Sequence, residues 1–138
     1  MEENMSYLRA ELPPISLSAS DHERLSHLAD VGADKFPQAA DILAREVARA
    51  NILMPGHPVS GLVTMGSVVD FRDETTGQER RVTLVYPHEA DVSEGRISVL
   101  TPVGAALVGL SVSQSIEWET VSGGWRSLTV LKVQNGSI

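Results

Sequence analysis

Two hydrophobic periods divide this chain. Up to about residue 50 the apolar residues recur at three- and four-residue spacing, which marks helices; from about residue 67 they alternate with polar ones, which marks strands. Ser20-Asp21-His22-Glu23 reads as a capping box opening a short helix, with Leu25 and Leu28 on its apolar face and Gly32 at its end. Pro37 suits the first turn of a second helix, whose seam is Phe36, Ala40, Leu43, Val47 and Ala50, with Arg45, Glu46 and Arg49 facing elsewhere. Two such helices joined by a few residues are expected to fold back as an antiparallel hairpin. Each is too short to stand alone, so the pair must lean on the rest of the protein.

Residues 1–14 read as a loose leader ending in Pro13-Pro14, and Ile15-Ser16-Leu17 as a brief extended segment. Residues 15–51 form the expected helical arm, and 52–66 a connector. Two prolines and two glycines between Asn51 and Gly61 speak against regular structure there. In the segment 67–138, Val69 and Phe71 make one strand, and Asp73-Glu74-Thr75-Thr76-Gly77 a turn. Val82, Leu84 and Tyr86 make the next strand, stopped at Pro87. Ile116 and Trp118 alternate with Glu117 and Glu119, then Gly123-Gly124 turns the chain into a last strand from Trp125 to Val133. The expected class is α+β: a helical arm followed by an antiparallel sheet with one short helix.

Composition narrows the chemistry. The aromatic share is 4%, so the core is aliphatic, and the chain has no cysteine, which removes disulfides and thiolate metal sites and fits a cytoplasmic setting. No apolar run is long enough for a membrane span, and Met1-Glu2-Glu3-Asn4 lacks the basic start of a signal peptide. The net charge is −7, the eleven Lys and Arg are scattered, and Arg80-Arg81 is the only adjacent pair, read as a solvated strand. Direct, specific DNA binding is not expected of such a surface. His22, His27, His57 and His88 lie in separate segments without metal-ligand spacing, and no nucleophile elbow or phosphate loop is present. No cofactor is expected.

One stretch is more specific. Residues 97–110 read as a short strand, a proline turn and a stubby helix: Thr101 stands at the N-cap, Pro102 in the first turn, and Gly109 at a left-handed stop. The run Thr101-Pro102-Val103-Gly104-Ala105-Ala106-Leu107 resembles the signature of the C-terminal domain of the Gre transcript-cleavage factors. Leu62 to Ser67, Thr83 to Pro87 and Ser115 to Glu119, with the short segment Glu46 to Ala50, resemble a narrower group, the regulators of nucleoside diphosphate kinase (Rnk). The chain departs from the pattern at Ser113-Gln114, where a Gly-Asp turn is usual, and at Thr101, where serine is usual.

The resemblance implies an FKBP-like fold for the sheet portion and RNA polymerase as partner, met as a monomer at the rim of the secondary channel. It implies a contact made by Thr101, Pro102 and Val103 with Ala105 and Ala106. Gre factors place two acidic residues at the tip of a long arm; Asp30 and Asp34 hold the corresponding place here, on an arm expected to be too short to reach the catalytic metal. The resemblance therefore implies a non-enzymatic regulator that competes with Gre factors. A true cleavage factor and an FKBP-like prolyl isomerase are the alternatives. The aromatic residues are too few for the isomerase pocket, and Trp118 and Trp125 read more simply as sheet residues.

Overall fold

The computed structural model describes residues 12–135. The chain starts with a three-residue strand, β1 (Ser16–Ser18), followed by helices α1 (Ala19–Val31) and α2 (Pro37–Arg49) and a second short strand, β2 (Asn51–Leu53). β1 and β2 pair in parallel, Leu17 opposite Ile52. That pairing ties the entrance of α1 to the exit of α2, while five residues join their other ends.

The start of α1 differs from the expected capping box. Strand pairing holds the chain extended through Ser18, whose φ and ψ are −67° and 158°, so the helix starts at Ala19 and Ser20 falls inside its first turn. Ser18 is the N-cap; its hydroxyl accepts the Asp21 N–H at 3.0 Å. Gly32 closes α1 and Pro37 opens α2, as the sequence indicates. The seam of α2 is wider than expected. Ala39, Ala40, Ile42, Leu43 and Val47 are buried, whereas Phe36 is an exposed N-cap residue and Ala50 the C-cap. Glu46, expected to face solvent, is buried: Arg49 folds back on it with two hydrogen bonds of 3.1 and 2.6 Å. The same guanidinium donates to the Pro13 carbonyl, so the pair fastens the chain entrance to α2.

Residues 51–53 also depart from the expected irregular connector, because β1 offers them a backbone partner before Pro55 ends the pairing. Beyond it stands a five-stranded sheet in the order β5-β4-β3-β7-β6. Its strands are β3 (Val68–Asp73), β4 (Glu79–Val85), β5 (Arg96–Ser98), β6 (Ser115–Glu119) and β7 (Trp125–Gln134), with helix α3 (Pro102–Leu107) between β5 and β6. The sheet is mixed, not purely antiparallel. β5 runs parallel to β4, Leu84 opposite Ile97, because two single 3₁₀ turns at 87–89 and 92–94 carry the chain back along the edge. Tyr86 lies outside β4, just before the first of these turns.

A continuous apolar core joins the two parts. It runs from Leu25 and Ala29 of α1 through Leu43 and Val47 of α2 and Ala105 to Leu107 of α3, down to Val69, Phe71, Leu84 and Val130 of the sheet. Burying a side chain of leucine size contributes about 1.5–3 kcal/mol. The helix pair therefore draws much of its stability from α3 and the sheet.

Candidate docking site

The turn between β5 and α3 is held by short hydrogen bonds. The Ser98 hydroxyl accepts the Leu100 N–H at 2.9 Å. The Thr101 hydroxyl donates to the Ser98 carbonyl at 2.7 Å and accepts the Gly104 N–H at 3.1 Å. Threonine thus does the capping that the sequence assigns to it, and Pro102 occupies the first turn, where its missing N–H costs nothing. Gly104 is required by packing: a Cβ there would stand 2.2 Å from the Ser98 carbonyl oxygen. At the other end Val108 and Gly109 form a type II turn, closed by the Leu110 N–H on the Leu107 carbonyl at 3.2 Å, with Gly109 at φ +86°.

Of the five residues expected to form the contact, Thr101, Pro102 and Val103 are half-buried and reach solvent. Ala105 and Ala106 are 0% exposed, since the inner face of α3 packs on the core. They support the turn from beneath and offer no surface to a partner.

The open side of the turn borders a cleft of about 430 Å³. Pro102, Val103, Ile97 and Trp118 supply its apolar wall, and Arg80, Arg96 and Arg126 supply charge from three different strands. Gln38, at the start of α2, also lines the cleft and lies 3.5 Å from the Glu119 carbonyl oxygen, to which its side chain donates. Glu79, Arg80 and Arg81 are all exposed, as a solvated run is expected to be, but that reading does not separate the two faces of the strand. The overlooked signal is the strand period: Arg80 shares a face with Val82 and Leu84, while Arg81 points the other way and pairs with Asp70 at 2.7 Å.

Asp30 lies in the last turn of α1 and Asp34 in the loop that joins it to α2, both exposed, Asp30 beside an alanine-lined groove between the two helices. Each helix has 13 residues, about 20 Å. The loop does not stand clear of the sheet: a Cβ on Gly32 would lie 2.8 Å from Leu100 Cδ1, so this end of the pair abuts the residue before Thr101. Near its beginning, α1 lays Arg24 over the Tyr86 ring, 4.6 Å from its centroid. Burial in this contact pushes the Asp21 carboxyl up, with Arg24 opposing, and burial pushes the Tyr86 phenol up as well. Among the described residues no three histidine, aspartate or glutamate side chains gather as a metal site, and no helix is long and apolar enough to cross a membrane.

Comparison with known proteins identifies the family. The family described as "Transcription elongation factor, GreA/GreB, C-term" matches residues 58–135, and the family described as "Rnk N-terminus" matches residues 13–53. This chain belongs to the Rnk group of the GreA/GreB family. The Escherichia coli K12 protein named "Regulator of nucleoside diphosphate kinase" is 39% identical over 122 residues, covering 88% of this chain and 90% of that protein. "Transcription elongation factor GreA" of Syntrophobacter fumaroxidans is 34% identical over 122 residues, covering 85% and 78%. A solved structure, "Prokaryotic transcription elongation factor GreA/GreB from Nitrosomonas europaea", superposes with a TM-score of 0.65 at 40% identity, over 88% of this chain and 98% of that one. The Rnk-type chain is thus a Gre-like transcription regulator, and these relatives carry the names of regulators or elongation factors.

Proposed function

We propose that this protein docks on RNA polymerase at the rim of the secondary channel, through the turn at Thr101, Pro102 and Val103, and there competes with Gre-type cleavage factors without stimulating cleavage itself. The polymerase enters this reading from the names of the relatives, which are transcription elongation factors. The observation that carries the negative half is the contact between Gly32 and Leu100. It keeps Asp30 and Asp34 beside the docking turn, not at the end of a projecting arm. Helices of about 20 Å packed on α3, with their connecting loop against Leu100, would not carry a carboxylate to a metal deep in a channel while the sheet stays at the rim. On this reading the protein acts by occupancy. Effects on nucleoside diphosphate kinase, the subject of one relative's name, would follow from altered transcription.

The test adds the purified protein to stalled elongation complexes, alone and with a long Gre factor. The expected result is no transcript cleavage alone and a dose-dependent loss of Gre-stimulated cleavage. A Pro102→Asp variant, folded by its helical signal, should lose the competition. Cleavage that vanishes in an Asp30→Ala, Asp34→Ala variant would overturn the occupancy reading.

A further inference from the structure

The arginine-lined cleft is cationic in a chain of net charge −7. None of its lining residues is a carboxylate. Two of its three arginines are held from behind. Arg126 pairs with the buried Asp73, and Arg96 donates to the Glu89 carbonyl at 3.1 Å and stands 3.7 Å from Asp91. Arg80 is different: its guanidinium lies over the Phe71 ring, 5.8 Å from the centroid, and among the described residues it has no carboxylate partner. The surroundings are apolar. Pro102 and Trp118 line the wall, and Val92 stands at the edge with 81% of its surface exposed.

We infer that this cleft receives an acidic peptide segment of the docking partner, one that carries an apolar side chain between carboxylates. The inference rests on the docking reading above and names the chemistry of the segment that the partner presents. A small anion would engage Arg80 but leave the apolar wall and Val92 uncovered; a purely apolar segment would strand the guanidinium in a desolvated contact. A segment with both features satisfies both. The acidic remainder of the surface repels such a segment elsewhere, so charge would also set its orientation and speed its arrival.

The experiment measures affinity of the full chain for RNA polymerase across a salt series, for the unaltered protein and for Arg80→Glu, Arg80→Lys and Pro102→Asp. A fluorescent peptide Asp-Asp-Leu-Asp-Asp is followed by anisotropy beside its neutral analogue Asn-Asn-Leu-Asn-Asn. Arg80 is exposed, so its variants should fold, and an unchanged unfolding transition verifies it. The expected results are a roughly tenfold or greater loss with Arg80→Glu at low salt, shrinking as salt rises, and near recovery with Arg80→Lys. The acidic peptide should bind and the neutral one should not. Full affinity in Arg80→Glu together with loss in Pro102→Asp overturns the acidic occupant and leaves the docking reading standing. Full affinity in both overturns the docking reading and the inference with it. Equal binding of the two peptides, or displacement of the acidic one by millimolar inorganic phosphate or nucleotide, also overturns it.

Discussion

At the scale of single residues, backbone conformation decides what the chain tolerates. Ser113 is the one non-glycine residue with positive φ among those described, at +78°. Its N–H reaches the Val130 carbonyl at 2.8 Å, and the next side chain, Gln114, accepts the Ser111 N–H at 2.9 Å. The positive φ of Ser113 is a strain, since a side chain in this region costs about 1–2 kcal/mol. Ser113→Gly should therefore stabilise the protein by about 0.5–1 kcal/mol, after allowing for the added freedom of the unfolded chain. Urea unfolding measures it, and a lower midpoint would contradict the strain. Gly104 predicts the opposite sign. Its Cβ would strike backbone at 2.2 Å and 2.9 Å, on Ser98 and Val99, so Gly104→Ala should cost at least about 2 kcal/mol by the same measurement. The positive φ of Gly109 was legible in the sequence as a left-handed stop after α3. That Gly104 serves close approach was not, because it depends on where β5 lies.

At the scale of elements, two buried charges illustrate what pattern reading misses. Glu46 sits among helix positions that a simple seam assigns to solvent, yet it is buried because Arg49 reaches it from the next turn and then grasps Pro13. A periodicity argument sees side chains one at a time and cannot see a pair that enters together. Arg49→Met should leave Glu46 buried without its partner and cost about 3 kcal/mol. Adding Glu46→Leu should recover most of that loss, which thermal unfolding of the single and double variants will show. In the turn after β3, Asp73 is buried against Arg126 and accepts the N–H groups of Thr75 and Thr76 at 2.9 and 3.3 Å. Burial alone would raise its pKa, but these donors outweigh it and hold the carboxyl below its ordinary value. The stabilisation is complete above about pH 4, the range of a free aspartate, and is lost as pH falls through the depressed native value. Asp73→Asn should thus destabilise by about 2 kcal/mol at neutral pH, with the gap to the parent closing in acid. A gap that stays constant from neutral to strongly acid solution would remove Asp73 from the account. The sheet was largely readable from its period of two. The short strand before Pro102 was readable too, but its parallel direction was not, because two 3₁₀ turns set it.

At the scale of the whole molecule, the helix pair and the sheet share one core, with Leu43 and Leu107 fully buried in it together. Unfolding followed by helical signal and by tryptophan fluorescence should give coincident curves, and a Leu43→Asp, Val47→Asp variant should lower both midpoints together. Separate transitions would mean that the helices melt off a sheet that stands without them. Family membership was legible from short motifs scattered along the chain, and the capped turn at Thr101 and Pro102 from one of them. The lie of the helices against the sheet was not, since no local pattern encodes which way a pair of helices tilts. That lie makes the protein a kind of ruler. Adding one heptad to each helix would keep the seam in register but carry the connecting loop about 10 Å past Leu100. The loop would then no longer need a residue without a Cβ at its start. Helix length and the glycine at position 32 are therefore coupled characters, and a descendant that lengthened one would be released from the other.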